Sequence, residues 1–248
     1  MKKYLFLIFS FFTFAFSQTI NFTNDEKLFI ENNPTINVGV ETDWPPFDFV
    51  ENDKYMGIAK DYLSLIEKST GLKFNYIYGY TWDELLKLTE TKKIDLLPIL
   101  AKTKDREKYL LYTKPYIEIR DYIFSLNNQF SKIEDLYGKD IAVPLGYAQE
   151  DVIKEKFPQI NVYSVRNLLD AIDAVITKKA DALISNPAII NYLTNKHTLG
   201  GITADLPINY ETNKLHMAVR DDYEILRGII QKALDSITII EKNKISEN

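Results

Sequence analysis

Near the middle of the chain the sequence reads Ile94-Asp95-Leu96-Leu97-Pro98-Ile99-Leu100-Ala101-Lys102-Thr103-Lys104-Asp105-Arg106. This pattern predicts a short buried strand, a loop that breaks at Pro98 and a helical turn that Thr103 caps. An arginine one turn into a helix is typical of an anion-binding site, because its guanidinium offers two parallel donors and the helix N-terminus offers free N–H groups. The equal alternative is a surface Arg106 that pairs with Asp105 or Glu107.

Strands and helices alternate on both sides of this segment. The predicted strands lie at residues 36–40, 74–77, 94–97, 140–143, 161–165, 181–184 and 215–219. The predicted helices lie at residues 57–71, 81–88, 148–157, 167–178, 187–195 and 223–237. This alternation is typical of an α/β protein with parallel sheets.

Two extended crossings, near residues 115–125 and 211–218, interrupt the alternation and indicate two lobes with a cleft between them. The predicted divisions are a lead-in at 18–35, a first lobe at 36–115, a second lobe at 116–212 and a return to the first lobe at 213–248. Such an arrangement is a hinge. Ligands of parallel sheets bind at the carboxyl ends of the strands, so the cleft is the predicted site.

The composition excludes several classes of function. The chain has 248 residues, a net charge of −5 and no cysteine. A nucleic-acid partner would need a basic face, and disulfides, thiol catalysis and a lipid-modified N-terminus all need cysteine. Lys2 and Lys3 precede an apolar run up to Phe16, which predicts a signal peptide at residues 1–17; a short membrane anchor is the alternative. The mature chain is expected in the periplasm, without a lipid anchor.

Four segments are expected to face the cleft. They are the loop at Trp44, the loop from Pro98 to Arg106, the turn Gly146-Tyr147-Ala148-Gln149 and the strand end Ser185-Asn186. Trp44 offers an apolar wall, Gly146 lets backbone amides approach, and Asn186 offers an uncharged amide. The alternatives are a core tryptophan, a plain turn glycine and the N-cap of the helix that begins at Pro187.

Three strings carry a resemblance to a known family. INVGVETDWPPFDFV, GIAKDYLSLIEKSTGLKFNYI and IDLLPILAKTKDREKYLLYTKPY resemble bacterial solute-binding proteins of family 3, which are two-lobed periplasmic binding proteins of type II, or Venus flytraps. The second half, with IAVPLGYAQEDVIKEKFPQI and AIDAVITKKADALISNPAIINYL, is similar to the branch found as sensor domains of histidine kinases. The similarity covers residues 24–238.

The resemblance implies a role for each cleft residue. Arg106 would hold a ligand carboxylate, Trp44 would stack on the ligand, and the backbone of the strand end would assist together with Thr103. That strand end is Ile99, Leu100 and Ala101. From the second lobe, the residues implied to close on the carboxylate are Tyr147, Ala148 and Gln149.

One position departs from the family pattern. Amino-acid binders of the family carry an aspartate that holds the ligand ammonium, and the matching residue here is Asn186. A neutral amide does not make the stronger charge-assisted bond. Either another acid holds the ammonium, for which Asp43 is the candidate, or the ligand has no amine. The asparagine favours a small carboxylate or other polar ligand.

No catalytic motif is present in the sequence, and no metal or cofactor is predicted. The Gly-x-Ser-x-Gly, Gly-Lys-Ser/Thr and His-Glu-x-x-His patterns are missing, and His197 and His216 do not suggest a metal pair. The predicted function is a monomeric periplasmic solute-binding protein that delivers a small anionic or zwitterionic solute to an ABC-type permease. The alternative is the ligand-sensing domain of a receptor, with a histidine kinase or cyclase as its partner.

Overall fold

The computed structural model describes residues 20–208 and 213–246. The predicted signal peptide, residues 1–17, lies outside them. The helices are α1 (Asn24–Asn32), α2 (Ile58–Thr70), α3 (Trp82–Glu90), α4 (Ala148–Lys156), α5 (Leu168–Ile176), α6 (Pro187–His197), α7 (Glu224–Ser236) and α8 (Ile239–Ser246), and short 3-10 turns cover Arg106–Lys108 and Ile133–Leu136. The strands are β1 (Thr35–Gly39), β2 (Asp43–Trp44), β3 (Asp48–Glu51), β4 (Lys54–Met56), β5 (Lys73–Ile77), β6 (Leu96–Ala101), β7 (Leu110–Tyr112), β8 (Ile117–Glu118), β9 (Asp121–Leu126), β10 (Asp140–Pro144), β11 (Asn161–Val165), β12 (Ala182–Ser185), β13 (Ile202–Ile208) and β14 (Lys214–Arg220).

The first sheet has the strand order β5-β1-β6-β14-β7. β8 pairs with the first two residues of β14, Lys214 and Leu215. β1 is parallel to β5 and β6, whereas β14 runs antiparallel to β6. Successive side chains of a strand point to opposite faces of the sheet. Accordingly, Leu96 is buried in the core with α2 and α7, and Leu97 is buried in the other core with α3.

The second sheet has the strand order β11-β10-β12-β9-β13. β10 is parallel to β11 and β12, and β9 runs antiparallel to β12 and β13. The apolar residues of α5 pack against this sheet and are almost fully buried; they are Leu168, Ala171, Ile172, Ala174 and Val175. A small antiparallel sheet, β2-β3-β4, lies beside the first lobe at the cleft.

The chain passes between the two sheets twice. β8 pairs in the first sheet and β9 in the second, and the return passage runs from β13 to β14. The molecule therefore has two α/β lobes, and the chain crosses between them twice. The division points given above from the sequence stay predictions.

The prediction of a loop at Pro98 is wrong, because β6 continues through this residue to Ala101. Leu97 pairs with Ala218 and Leu100 with His216, so Pro98 and Ile99 both lie opposite the single residue Met217. Such a bulge is where a strand tolerates proline, since the missing N–H is not needed by the ladder. The pairing with β1 has already ended at Leu96.

Other elements differ from the prediction more modestly. The extended run at residues 116–126 is two strands, β8 and β9, and the helical turn expected at Arg106 is of the 3-10 type. The sequence pattern did not indicate the small sheet β2–β4, the strands β7 and β13, or helix α8. These elements are short or lie at the surface, where hydrophobic periodicity is weak.

Candidate functional site

A narrow cavity of about 40 Å³ lies between the lobes. It has room for about three water molecules. Its walls come from both lobes and from the first crossing: Glu41, Trp44, Trp82, Ile99, Leu100, Ala101, Arg106, Ile119, Tyr147, Ala148, Gln149 and Leu215. β1 and β6 end here, as expected for a ligand cleft at the carboxyl ends of parallel strands. Most of the predicted site residues therefore meet at one place.

Arg106 is buried in this cavity, and only 5% of it is exposed. Its Nη1 donates to the carbonyl of Ala101 at 2.6 Å, and its Nη2 donates to the carbonyl of Gly146 in the other lobe at 2.7 Å. Burial lowers the pKa of Arg106, which nevertheless stays charged. The guanidinium also faces the ring of Trp82, 5.5 Å from its centroid.

The alternative reading of Arg106 as a surface residue is wrong. Asp105 pairs with Lys108 at 2.5 Å, and Glu107 pairs with Lys102 at 2.5 Å, so both neighbouring acids are satisfied by lysines. Arg106 is free to turn inward, where two backbone carbonyls satisfy it.

Gly146 contributes a carbonyl to the site. The sequence suggested that this glycine lets backbone amides approach, but its oxygen accepts bonds from Arg106 and, at 3.2 Å, from the indole N–H of Trp82. Its φ of +79° turns the chain between β10 and α4. The turn thus presents an acceptor to the first lobe.

Tyr147 bridges the lobes through a residue that sequence reasoning missed. Its hydroxyl donates to Oε1 of Glu41, and both side chains are buried. Burial, and next the charge of Asp43, raise the pKa of Glu41 well above its ordinary value. Burial raises the pKa of Tyr147 as well, with the Glu41 carboxyl as the next cause. The position of Glu41 in the sequence could have indicated it, because Glu41 follows the strand whose carboxyl end was expected at the cleft.

Gln149 is fixed to the first crossing. Its Nε2 donates to Oδ2 of Asp121 at 2.8 Å, and Asp121 begins β9. Burial raises the pKa of Asp121 to about 6, against the lowering effect of this bond. The bond joins a side chain of the cavity wall to the start of β9.

Besides Gly146, which meets the site through its carbonyl bond with Arg106, three predicted residues do not line this cavity. Thr103 accepts a bond from the backbone N–H of Arg106 at 3.4 Å and faces a neighbouring groove with Asp151. Asp43 faces a separate cavity of about 120 Å³ beside Arg166. Burial, and next the charge of Asp170, raise the pKa of Asp43 to about 6. This second cavity also lies between the lobes, and Glu41, which the sequence analysis did not single out, lines both cavities.

Asn186 is the third predicted residue that does not line the cavity. The alternative prediction, that Asn186 is the N-cap of the helix that begins at Pro187, is confirmed. Its Oδ1 accepts from the N–H of Ala188 at 2.9 Å, at the start of α6. Its Nδ2 donates to the carbonyl of Arg120, in the first crossing, at 3.1 Å. The side chain thus ties α6 to the hinge.

Replacing Asn186 with aspartate should lower the free energy of unfolding by about 1 kcal/mol and leave ligand preference unchanged. The carboxylate keeps the cap acceptor but has no donor for the Arg120 carbonyl. Urea denaturation measures the first effect, and calorimetry with amine-bearing and amine-free acids measures the second. Asn186→Ala, which loses both bonds, should cost about 2 kcal/mol. A new preference for amines in the aspartate variant would instead put residue 186 in contact with ligand.

Further contacts join the lobes outside the cavity. Glu51 on β3 accepts from the hydroxyl of Tyr192 at 2.9 Å and from Lys196 at 2.7 Å, both on α6. On another side, Lys104 pairs with Glu155 of α4 at 2.7 Å. The lobes are therefore in direct contact around the cavity.

Within 20–208 and 213–246, no group of three or more metal-ligating side chains is placed to hold an ion. His216 is buried and bonded through Nδ1 to the carbonyl of Thr113 at 2.7 Å, and burial lowers its pKa. In the same ranges, no helix has the length and apolarity that a membrane span requires.

Two α/β lobes, two crossings and a cleft at the strand ends define a type II periplasmic binding protein, or Venus flytrap. The chain belongs to the bacterial extracellular solute-binding proteins, family 3, whose sequence profile matches residues 36–247. The fold class predicted from the sequence is confirmed. The crystal structure of the periplasmic VFT2 domain of Bordetella pertussis BvgS has a TM-score of 0.81 at 23% identity and covers 92% of this chain and 98% of its own.

Two kinds of curated relative are similar to the chain. The virulence sensor protein BvgS of Bordetella pertussis is 23% identical over 196 residues, which are 79% of this chain and 16% of that protein. The "Probable histidine-binding protein" of Campylobacter jejuni is 28% identical over 192 residues, which are 75% of this chain and 74% of that protein. The chain thus spans a small part of the sensor and most of the binding protein. Both relatives are named as binding or sensing proteins.

Proposed function

We propose that this protein is a periplasmic receptor that closes on a small amino-acid-like ligand. The observation that carries the proposal is a buried arginine and a buried glutamate, Arg106 and Glu41, in one inter-lobe cavity with aromatic walls. The arginine suits a carboxylate, which accepts its two parallel donors. The glutamate suits an ammonium group. We therefore propose a zwitterionic ligand, whereas Asn186 alone favoured a small carboxylate or other polar ligand.

Ligand binding exchanges contacts within the protein for contacts with the ligand. The cavity of about 40 Å³ is too narrow for an amino acid, so the lobes separate to admit one. A carboxylate then replaces the Gly146 carbonyl on Arg106, and an ammonium replaces the Tyr147 hydroxyl on Glu41. The ligand favours the closed form by the difference between its affinities for the two forms.

A thermal-shift screen with matched compounds tests this proposal. L-Histidine, L-arginine and glycine are compared with their methyl esters, which lack the carboxylate, and with the corresponding amine-free acids. A ligand at 100 times its Kd should stabilise the protein by about 2.7 kcal/mol. We expect at least one amino acid to raise the melting temperature and its ester and amine-free acid not to do so. An ester that stabilises as well as its parent acid, or no stabilisation by any amino acid, contradicts the proposal.

We propose that the partner that reads the closed form is an ABC-type permease. The support is the relative from Campylobacter jejuni, which is named as a histidine-binding protein and matches over most of its length. In this role the protein carries its solute through the periplasm. A permease and an ATPase encoded beside the gene would support the transport role.

A sensing role is the second candidate, and a specific feature favours it. The protein's own side chains bridge the lobes at Arg106, Tyr147 and Glu51, so a closed form has direct stabilisation of its own. A receptor that signals through its closed form needs such contacts. The similarity to BvgS supports this candidate. A histidine kinase or cyclase encoded beside the gene would favour sensing over transport.

A further inference from the structure

The bond between Glu41 and Tyr147 joins the two lobes at the centre of the cleft, and 106 residues separate its partners in sequence. Tyr147 is the N-cap residue of α4 and approaches Glu41 from the second lobe. The backbone N–H of Glu41 is held within the first lobe by Oδ2 of Asp48 at 3.0 Å. Closing the cleft therefore buries the Glu41 carboxyl between two fixed elements.

Two acids lie close to Glu41, and among the described residues no positively charged group forms a salt bridge with it. The ionisable groups that face it are Asp43 on β2, Asp48 on β3, Arg106 on the 3-10 turn and Tyr147 on α4. Arg166 and Tyr80 line the adjoining cavity that Glu41 also reaches. Arg106 already donates to two carbonyls and acts on Glu41 through its charge, without a hydrogen bond to it.

An ionised Glu41 is therefore costly in the closed form. In an open cleft water solvates the carboxylate, whereas in the closed form water is removed and two acids stay close by. The cost disappears when the carboxyl is neutral, because a protonated carboxyl still accepts the Tyr147 O–H bond through its carbonyl oxygen. Burial raises the pKa of Glu41 in this closed structure well above its ordinary value of 4.5.

We propose that, without ligand, the cleft closes by taking up a proton on Glu41, so that acid pH favours the closed form and rising pH opens it. The inference rests on the proposed function in one respect. In the ligand-free protein the proton neutralises the Glu41 carboxylate, and in the ligand complex the ligand ammonium would neutralise the same group. The two forms of closure then share one chemical requirement, a positive charge delivered to Glu41.

The direction of the pH effect follows from the two states. Glu41 binds its proton more tightly in the closed form than in the open form, so closure is fully favoured below the open-form pKa. It is lost as the pH rises through the closed-form pKa. Between these two pKa values the proton on Glu41 alone should make the ratio of closed to open molecules fall by up to about tenfold per pH unit.

An inter-lobe distance measured against pH tests the proposal without any ligand. The chain has no cysteine, so Lys87→Cys on α3 and Asp173→Cys on α5 give one spin label on an exposed position of each lobe. Double electron–electron resonance between pH 4.5 and 8.5 then reports the closed and open populations of the dialysed protein. We expect a short distance at low pH that lengthens as the pH rises.

Three variants in this labelled background assign the transition. Glu41→Gln keeps the acceptor for Tyr147 and removes the titration, so the short distance should persist over the whole range. Tyr147→Phe loses the bond that favours closure and should open at lower pH. Asp48→Asn, a buried acid that stays within the first lobe, should keep the transition and move it to lower pH, because a negative neighbour of Glu41 is removed.

Two results would overturn the inference. One is a wild-type distance that does not change with pH, and the other is a Glu41→Gln variant that follows the wild-type curve. If Glu41→Gln fails to fold, an unshifted Tyr147→Phe curve is equally decisive against it. Since no ligand is used, these results are separate from the ligand screen, and either proposal can fail without the other.

Discussion

Arg106→Ala should weaken binding of the carboxylate ligand found in the screen by more than about 100-fold, which is about 3 kcal/mol. The guanidinium is buried in the cavity wall, so its loss leaves a ligand carboxylate without a counter-charge in a site from which water is excluded. Titration calorimetry on the variant and the parent protein measures the change. Thermal unfolding followed by circular dichroism checks that the variant is folded.

Two further variants make this result specific. Arg106→Lys keeps a positive charge but not the two-pronged donor, so it should bind with intermediate affinity. Arg227→Ala removes a half-buried arginine that pairs with Glu224 on α7, outside the cavity lining, and should bind as the parent protein does. An Arg106→Ala variant that binds as tightly as the parent would show that the anion is held elsewhere.

Gly57→Ala should lower the free energy of unfolding by about 3 kcal/mol. Gly57 has φ +111° and ψ 172°, a region that is essentially restricted to glycine and costs about 1–3 kcal/mol for other residues. An added Cβ would also lie 2.6 Å from the carbonyl oxygen of Phe47. That carbonyl accepts from the N–H of Ala59, which fixes the Trp44 loop to the start of α2. Urea denaturation measures the loss.

Gly71→Ala is the matched control. Gly71 ends the same helix with φ +81°, but an added Cβ there meets nothing within 4 Å. Its cost is then the strain of the left-handed conformation alone, about 1–2 kcal/mol. If both variants lose a similar free energy of unfolding, the close approach of the Phe47 carbonyl adds nothing to the cost at Gly57. Because Trp44 lines the cavity, Gly57→Ala should also weaken ligand binding, and Gly71→Ala should not.

The local patterns of the sequence predicted much of the fold. Gly57 and Gly71 marked the two ends of α2 correctly, and the alternation of strands and helices indicated the parallel α/β lobes. These signals depend on hydrophobic periodicity and on backbone preferences of glycine, which act between near neighbours in the chain.

The site was only partly readable from the sequence, because its contacts join distant segments. Whether Arg106 faces water or the cleft depends on the Gly146 carbonyl, which is 40 residues away in sequence. Pro98 stays within β6 because a bulge lies opposite Met217, a residue of the last strand. Neither partner can be inferred from the residues around Arg106 or Pro98.

Sequence alone determined the α/β class, the two-lobed plan and the cleft at the strand ends, since each follows from local pattern or family resemblance. Tertiary structure alone decided which acid shares a cavity with Arg106 and Tyr147. Asp43 and Glu41 lie two residues apart and both line the cavity beside Arg166, but of the two only Glu41 also lines the cavity of Arg106. The chemical character of the site is therefore set by how the lobes meet, and that contact is made by residues more than 100 positions apart.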